Sequence, residues 1–164
     1  MSVIEGKGIR KEELVSDYLH DLQFQGAGVD LSLKEVRVFE GSGRIDFDNS
    51  KRKISESRKM EFGSDGSIHL KAGCYKILYN EYVRIPSDCI ALAFPRSSLL
   101  RCGAFLQCAV WDPGYEGRSE SLLVVANQQG ITFERNARVV QLVFFRLESK
   151  TAKKYRGKYQ GENK

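Results

Sequence analysis

From residue 74 onward, turn residues cut the chain into short apolar pieces, and this punctuation restricts the folds open to it. Apolar stretches at 74–79, 89–94, 105–111, 122–126 and 137–147 are separated by signals such as Pro86-Ser87-Asp88, Asp112-Pro113-Gly114 and Gln128-Gln129-Gly130. Their β-branched and aromatic content suits a pleated, half-buried strand. Many short strands at this pitch predict an all-β barrel or sandwich of the jelly-roll type. A further strand is predicted at 29–38. The stretch holding Val139, Val140, Leu142, Val143, Phe144 and Phe145 is apolar on both faces. A small antiparallel sheet normally leaves one face to water, so a second cover is expected, from another copy of the chain or from a two-sided core.

Ahead of the strands, Leu14, Val15, Tyr18, Leu19 and Leu22 recur at three- and four-residue spacing, which predicts an amphipathic helix over 10–22. From 40 to 66 the chain turns polar and charged, with Gly41-Ser42-Gly43 near its start. This reads as a long excursion or hairpin insertion, and no chemistry is expected there.

A length of 164 residues suits one domain, expected at 1–149, with a tail at 150–164 where the apolar content collapses. With 41% hydrophobic and 29% charged residues, disorder is excluded as the main state. Apolar runs such as 90–94 fall far short of the roughly 20 residues a membrane span needs. The first residues carry charges with no apolar core behind them, so no secretory signal is expected and the expected location is cytoplasmic. Cys74, Cys89, Cys102 and Cys108 lack C-x-x-C spacing and are expected as reduced packing residues. With only His20 and His69 beside them, a zinc centre is hard to assemble, which argues against zinc-dependent deaminase chemistry.

The net charge of +5 sits at one end: residues 150–164 hold six basic side chains and one acid, while the other 149 residues hold 20 of each sign. A uniformly basic nucleic-acid face is therefore not expected. The tail is either a cationic cover for a small polyanion or a solvated end.

Polar residues interrupt the strand pattern in four places. In Gly26-Ala27-Gly28-Val29-Asp30-Leu31, small residues allow close backbone approach and Asp30 offers a carboxylate suited to magnesium. In Pro95-Arg96-Ser97-Ser98-Leu99-Leu100-Arg101, Ser97 or Ser98 is expected to cap a short helix, with Arg96 and Arg101 able to bind phosphate oxygens. The third stretch, Ala109 to Gly117, sets Asp112 at a strand end beside a Pro-Gly turn, with Tyr115 as a flat platform for a sugar. The fourth joins 135–141 to the Tyr- and Lys/Arg-rich tail, a composition suited to closing over a nucleotide.

In this order and spacing, the four stretches resemble the dUTPase and dCTP deaminase superfamily, most of all its archaeal-type dUTPases. The resemblance runs from about Gln25 into the tail. It implies a distorted jelly-roll β fold, a homotrimer with active sites at subunit interfaces, and magnesium-assisted hydrolysis of dUTP to dUMP and diphosphate. By position, Asp30 matches the carboxylate of the A-G-x-D-L motif near the magnesium-bound triphosphate, and Arg96, Ser97 and Ser98 match the phosphate-binding segment. Asp112 matches the aspartate that orients the attacking water, and Tyr115 the aromatic under the deoxyribose. Arg138 and Gln141 fall in a segment similar to R-I-A-Q-L, with Gln141 placed for a polar contact. Lys158, Tyr159 and Gln160 resemble the K-Y-Q closure of the deaminase branch. Backbone groups around 106–110, Val110 included, are expected to read the base.

The glycine-rich, Phe-bearing lid of typical trimeric dUTPases is absent. Deaminases of the superfamily use a glutamate ten residues past the aspartate. Here that position is Leu122, or Val124 with a longer turn, and neither can carry a proton; Glu120 is the nearby candidate. The resemblance therefore favours dUTP hydrolysis, with dCTP deamination or a bifunctional enzyme as the alternative. A non-catalytic module whose tail holds single-stranded nucleic acid is a lesser alternative, weakened by the neutral body.

Overall fold

Strands make up nearly all the regular structure in this computed structural model, which describes residues 2–164. In chain order the first half contains β1 (Ser2–Ile4), α1 (Gly6–Lys11), β2 (Val15–Ser16), β3 (Phe24–Gln25), β4 (Gly28–Phe39), β5 (Ser57–Met60), β6 (Ser67–Leu70) and β7 (Gly73–Tyr79). The second half contains β8 (Tyr82–Arg84), β9 (Cys89–Pro95), α2 (Ser97–Arg101), β10 (Ala104–Gln107), β11 (Glu116–Gly117), β12 (Glu120–Val125), β13 (Ile131–Glu134) and β14 (Arg138–Arg146). The strands expected from the apolar runs are present, with 105–111 shortened to β10 and a following loop. The short strands β6, β8 and β13 lie outside the apolar runs that predicted strands.

One curled antiparallel sheet runs β1-β14-β4-β7-β12-β10, with β3 and β5 also on β4 and β9 on β14. Two smaller sheets, β11-β8-β2 and β13-β6, close its margins. The long strand β4 makes the curl possible. Its first half pairs with β14 and its second half with β7 and β5, with register shifts between Leu33 and Glu35 and, on β14, between Arg138 and Val140. Bulges of this kind bend a strand and raise its twist, so one strand can serve both walls of the fold. Leu31, Leu33, Val36, Ile77, Tyr79, Leu123, Leu142 and Phe144 fill the space between the walls. Val143 and Phe145, on the second face of β14, are half-buried within the protomer.

The helix expected at 10–22 does not form. The helix is earlier, at Gly6–Lys11, and the chain then enters the left-handed region at Glu13 (φ 52°) and Asp17 (φ 57°). Each such residue interrupts a right-handed helix. Val15 pairs with Val83, and Leu19 and Leu22 stand 51% and 67% exposed, so the apparent apolar face is not one face. The cysteines also divide: Cys89 is buried and Cys108 half-buried, whereas Cys74 and Cys102 are exposed. No described helix is long and apolar enough to cross a membrane.

Candidate active site

Asp112 lies on the wall of a cavity of about 370 Å³. The Asp-Pro-Gly turn aims it there. The Tyr115 amide bonds to the Asp112 carbonyl at 3.1 Å, and the Gly114 amide to that of Ile85 at 2.8 Å. Gly114 adopts φ +84°, a conformation that a side chain would strain. Just before the turn, Trp111 exchanges backbone bonds of 3.0 and 3.1 Å with Ala91, which ties the loop to β9. Val110 lines the same cavity and is half exposed.

Tyr115 forms the cavity's inner wall. Its hydroxyl donates to Glu162 Oε1 at 2.8 Å and lies 3.0 Å from Ser119 Oγ, which accepts from Trp111 Nε1 at 2.5 Å. Burial pushes the Tyr115 phenol well above its ordinary value, so it stays a neutral donor. Glu120, the first residue of β12, lines the cavity too and pairs with Lys76 at 3.0 Å. Leu122 does not line this cavity. It lies farther along β12 on the same side, where it faces the outer surface near Phe39 and Gln107.

The tail completes this site from within the protomer. Tyr155 meets Tyr115 edge-on with ring centres 5.6 Å apart, and Tyr159 and Glu162 also line the cavity. Gln160 bridges the turn: its Nε2 donates to the Gly114 carbonyl at 3.0 Å, and its Oε1 accepts from the Glu116 amide at 3.3 Å. Lys158 points into solvent. Burial pushes the Glu162 carboxyl up, the Tyr115 hydroxyl opposes this, and the charge of Glu120 adds to it.

A second cluster gathers around Asp30, which is 2% exposed. Its Oδ2 accepts from Arg138 Nη1 at 3.2 Å and pairs with Arg96 Nε at 3.3 Å. Burial pushes the Asp30 carboxyl up, and the two guanidiniums pull it back down. Gln141 sits directly across from Asp30 in the β4–β14 pairing. Gly28 owes its place to packing, because a Cβ there would collide with the Leu142 carbonyl oxygen. Arg96 itself occupies the N-cap of α2 with no side-chain cap, so neither serine caps that helix; Ser97 and Ser98 fall in its first turn with exposed side chains. Arg101 ends α2 exposed.

Asp30 does not fit the role of a magnesium ligand in this arrangement. Its Oδ2 is already shared by two guanidiniums, and a divalent cation there would face two positive charges. Among the described residues, no group of three His, Cys, Asp or Glu side chains could hold a metal ion.

The two clusters are separate within the protomer. Trp111 pairs with Ala91, while Arg96 lies five residues farther along β9, about 16 Å of extended chain, and Asp112 continues the opposite way. Asp112 and Arg96 therefore do not converge in one chain.

Several residues at these sites had not been expected there. Glu81, fully buried, accepts from Ser32 N at 2.9 Å, Ser32 Oγ at 2.6 Å and Gln23 Nε2 at 2.7 Å. Gln23 Nε2 also reaches the Asp30 carbonyl at 2.9 Å, so this network grips β4 beside Asp30. Ile54, from the polar excursion, lines the cavity. Glu162 alone carried a legible signal, as the one acid in a tail of six cations.

A family model described as dCTP deaminase-like matches residues 6–147. The chain belongs to the dCTP deaminase-like family. Within that family it is 52% identical over 143 residues to a Methanosarcina mazei protein named a probable deoxyuridine 5'-triphosphate nucleotidohydrolase, covering 87% of this chain and 84% of the relative. An Archaeoglobus fulgidus protein of the same name is 48% identical over 168 residues, covering 99% of this chain and 98% of the relative. Among solved structures, the 2'-deoxycytidine 5'-triphosphate deaminase of Agrobacterium tumefaciens shares the fold, with a TM-score of 0.64 at 21% identity. That likeness covers 87% of this chain and 47% of the deaminase chain.

Proposed function

We propose that this protein is a dUTP diphosphatase that converts dUTP and water to dUMP and diphosphate. The observation that carries this reading is the 48% identity, along 99% of the chain, to a protein named for dUTP hydrolysis. The site supports it chemically. Asp112 lies in the cavity beside Tyr115, where a carboxylate can orient a water and take its proton. The water oxygen bonds to the α-phosphorus, the bond from that phosphorus to the bridging oxygen breaks, and diphosphate leaves. Tyr115 carries the deoxyribose, backbone groups at 106–110 read the base, and Tyr159 and Gln160 hold the tail over it.

The phosphates need cations, and Asp112's cavity is lined by carboxylates: Asp112, Glu120 and Glu162. Arg96 and Arg138, around Asp30, supply positive charge elsewhere on the protomer, with Ser97, Ser98, Arg101 and Gln141 nearby in the chain. In this reading the fold is a distorted jelly roll that assembles as a homotrimer, and the arginine cluster of one copy completes the cavity of the next. Lys158 adds charge from the tail. Magnesium arrives as part of the substrate, bound to triphosphate oxygens, which suits its preference for oxygen ligands and retained waters.

A second reading, dCTP deamination alone or alongside hydrolysis, is favoured by one observation: Glu120, rather than Leu122, shares the cavity with Asp112. Product analysis with dUTP and with dCTP in magnesium separates the two. The expected products are dUMP and diphosphate from dUTP, with no ammonia from dCTP. Asp112→Asn is expected to lower kcat at least 100-fold while dUTP still binds. Near-normal turnover in that variant overturns the role of Asp112, and ammonia from dCTP that disappears in Glu120→Gln establishes the second reading.

A further inference from the structure

The polar excursion reaches the cavity that the tail covers. It folds back as a hairpin: the Glu40 amide bonds to the Glu56 carbonyl at 2.9 Å, and Arg44 and Lys53 exchange backbone bonds of 2.7 and 2.9 Å. Arg58 pairs with Glu40 at 2.6 Å across its base. At its tip the Lys51 amide donates to Asp46 Oδ2 at 2.8 Å, and the Ser50 amide to Asp48 Oδ1 at 3.0 Å. So anchored, the hairpin presents Ile54 to the cavity wall and sets the Arg52 guanidinium 5.9 Å from the ring centre of Tyr159. Arg52 is half-buried, with its charge set toward the ring face.

We infer that the hairpin is the catch of the tail, with Arg52 as a positioning residue that holds Tyr159 down over an occupied cavity. The inference rests on the dUTP reading for its substrate but on geometry for its mechanism. A catch must yield at each turnover to let products leave. A cation–π contact at a partly exposed site suits this, since it shifts a closing equilibrium only about two- to fivefold. Ile54 sits two residues away and adds an apolar wall that closure would bury.

The test is a double-mutant cycle on Arg52→Ala and Tyr159→Leu, with Arg52→Lys as a milder variant. Three quantities are read: KM for dUTP, kcat for dUTP, and the rate of tryptic cleavage at Lys153 and Lys154 without nucleotide and with the non-hydrolysable α,β-imido analogue. Arg52→Ala is expected to raise KM and speed tail cleavage about two- to fivefold, with kcat changing less. Arg52→Lys should fall between, and the double variant should be no worse than Tyr159→Leu alone. Unchanged tail cleavage in Arg52→Ala, or single effects that multiply in the double variant, overturns the catch. If the wild-type protein fails to hydrolyse dUTP, the functional reading falls, while nucleotide-free cleavage still decides the catch.

Discussion

Glu81 is the residue whose environment is most demanding. Its carboxylate is fully buried without a cation and is held by donors from Ser32 and Gln23. Burial pushes it up, and the hydrogen bonds restrain that shift. Removing the carboxylate strands the Ser32 amide and hydroxyl and the Gln23 amide in the interior. Glu81→Ala is therefore expected to cost about 2–4 kcal/mol, read from the midpoint of urea unfolding. A change below about 0.5 kcal/mol would mean that water or a repacked side chain satisfies those donors. Nothing in the local pattern around Asn80-Glu81-Tyr82 marks it as a core residue, because its partners lie 49 and 58 residues away. The small-residue context of Asp30 marked it as a candidate. Its pairing with Arg138, 108 residues away, was not legible there.

Among elements, the tail gains most from the structure. Its basic composition left open whether it was a solvated end or a cover, and the contacts of Tyr155, Gln160 and Glu162 pack it against the cavity wall in this protomer. Glu162 gives the docking a pH dependence. Its carboxyl is raised by burial in the docked tail, so the docked state holds the proton more tightly than a free tail does. That contribution is fully present below the ordinary glutamate range and is lost as pH rises through the raised value. The emission of Trp111, the only tryptophan and hydrogen-bonded on the cavity wall, reports the change. Its titration should show a midpoint above the ordinary glutamate value, absent in Glu162→Gln; a midpoint that persists in the variant assigns the transition to another group. The N-terminal segment shows the opposite relation between pattern and structure. Its three- and four-residue spacing of apolar side chains looked helical, but left-handed residues at Glu13 and Asp17 divide it.

For the whole molecule, the separation of Asp112 from Arg96 is the decisive feature. If the proposed trimer joins the two clusters between copies, neither Asp112→Asn nor Arg96→Ala homo-oligomers should hydrolyse dUTP efficiently. Mixed after unfolding and refolded together, they should regain about a quarter of wild-type activity, since each junction needs one intact partner of each kind. Sedimentation should give a particle of three chains. A monomer with full activity, or a mixture as inactive as its parents, removes the shared site.

The alternation of short apolar runs and turns determined the β class, because side-chain period and turn chemistry are written in neighbouring residues. The same local signals marked Asp30, Arg96, Asp112 and Tyr115 as candidates. Only the tertiary structure decided that Asp30 pairs with two arginines, that the polar hairpin reaches the cavity, and that the cationic and acidic clusters lie apart. Those outcomes depend on strand register and on contacts between residues far apart in the chain, where burial and charge pairing act only once the sheet has curled.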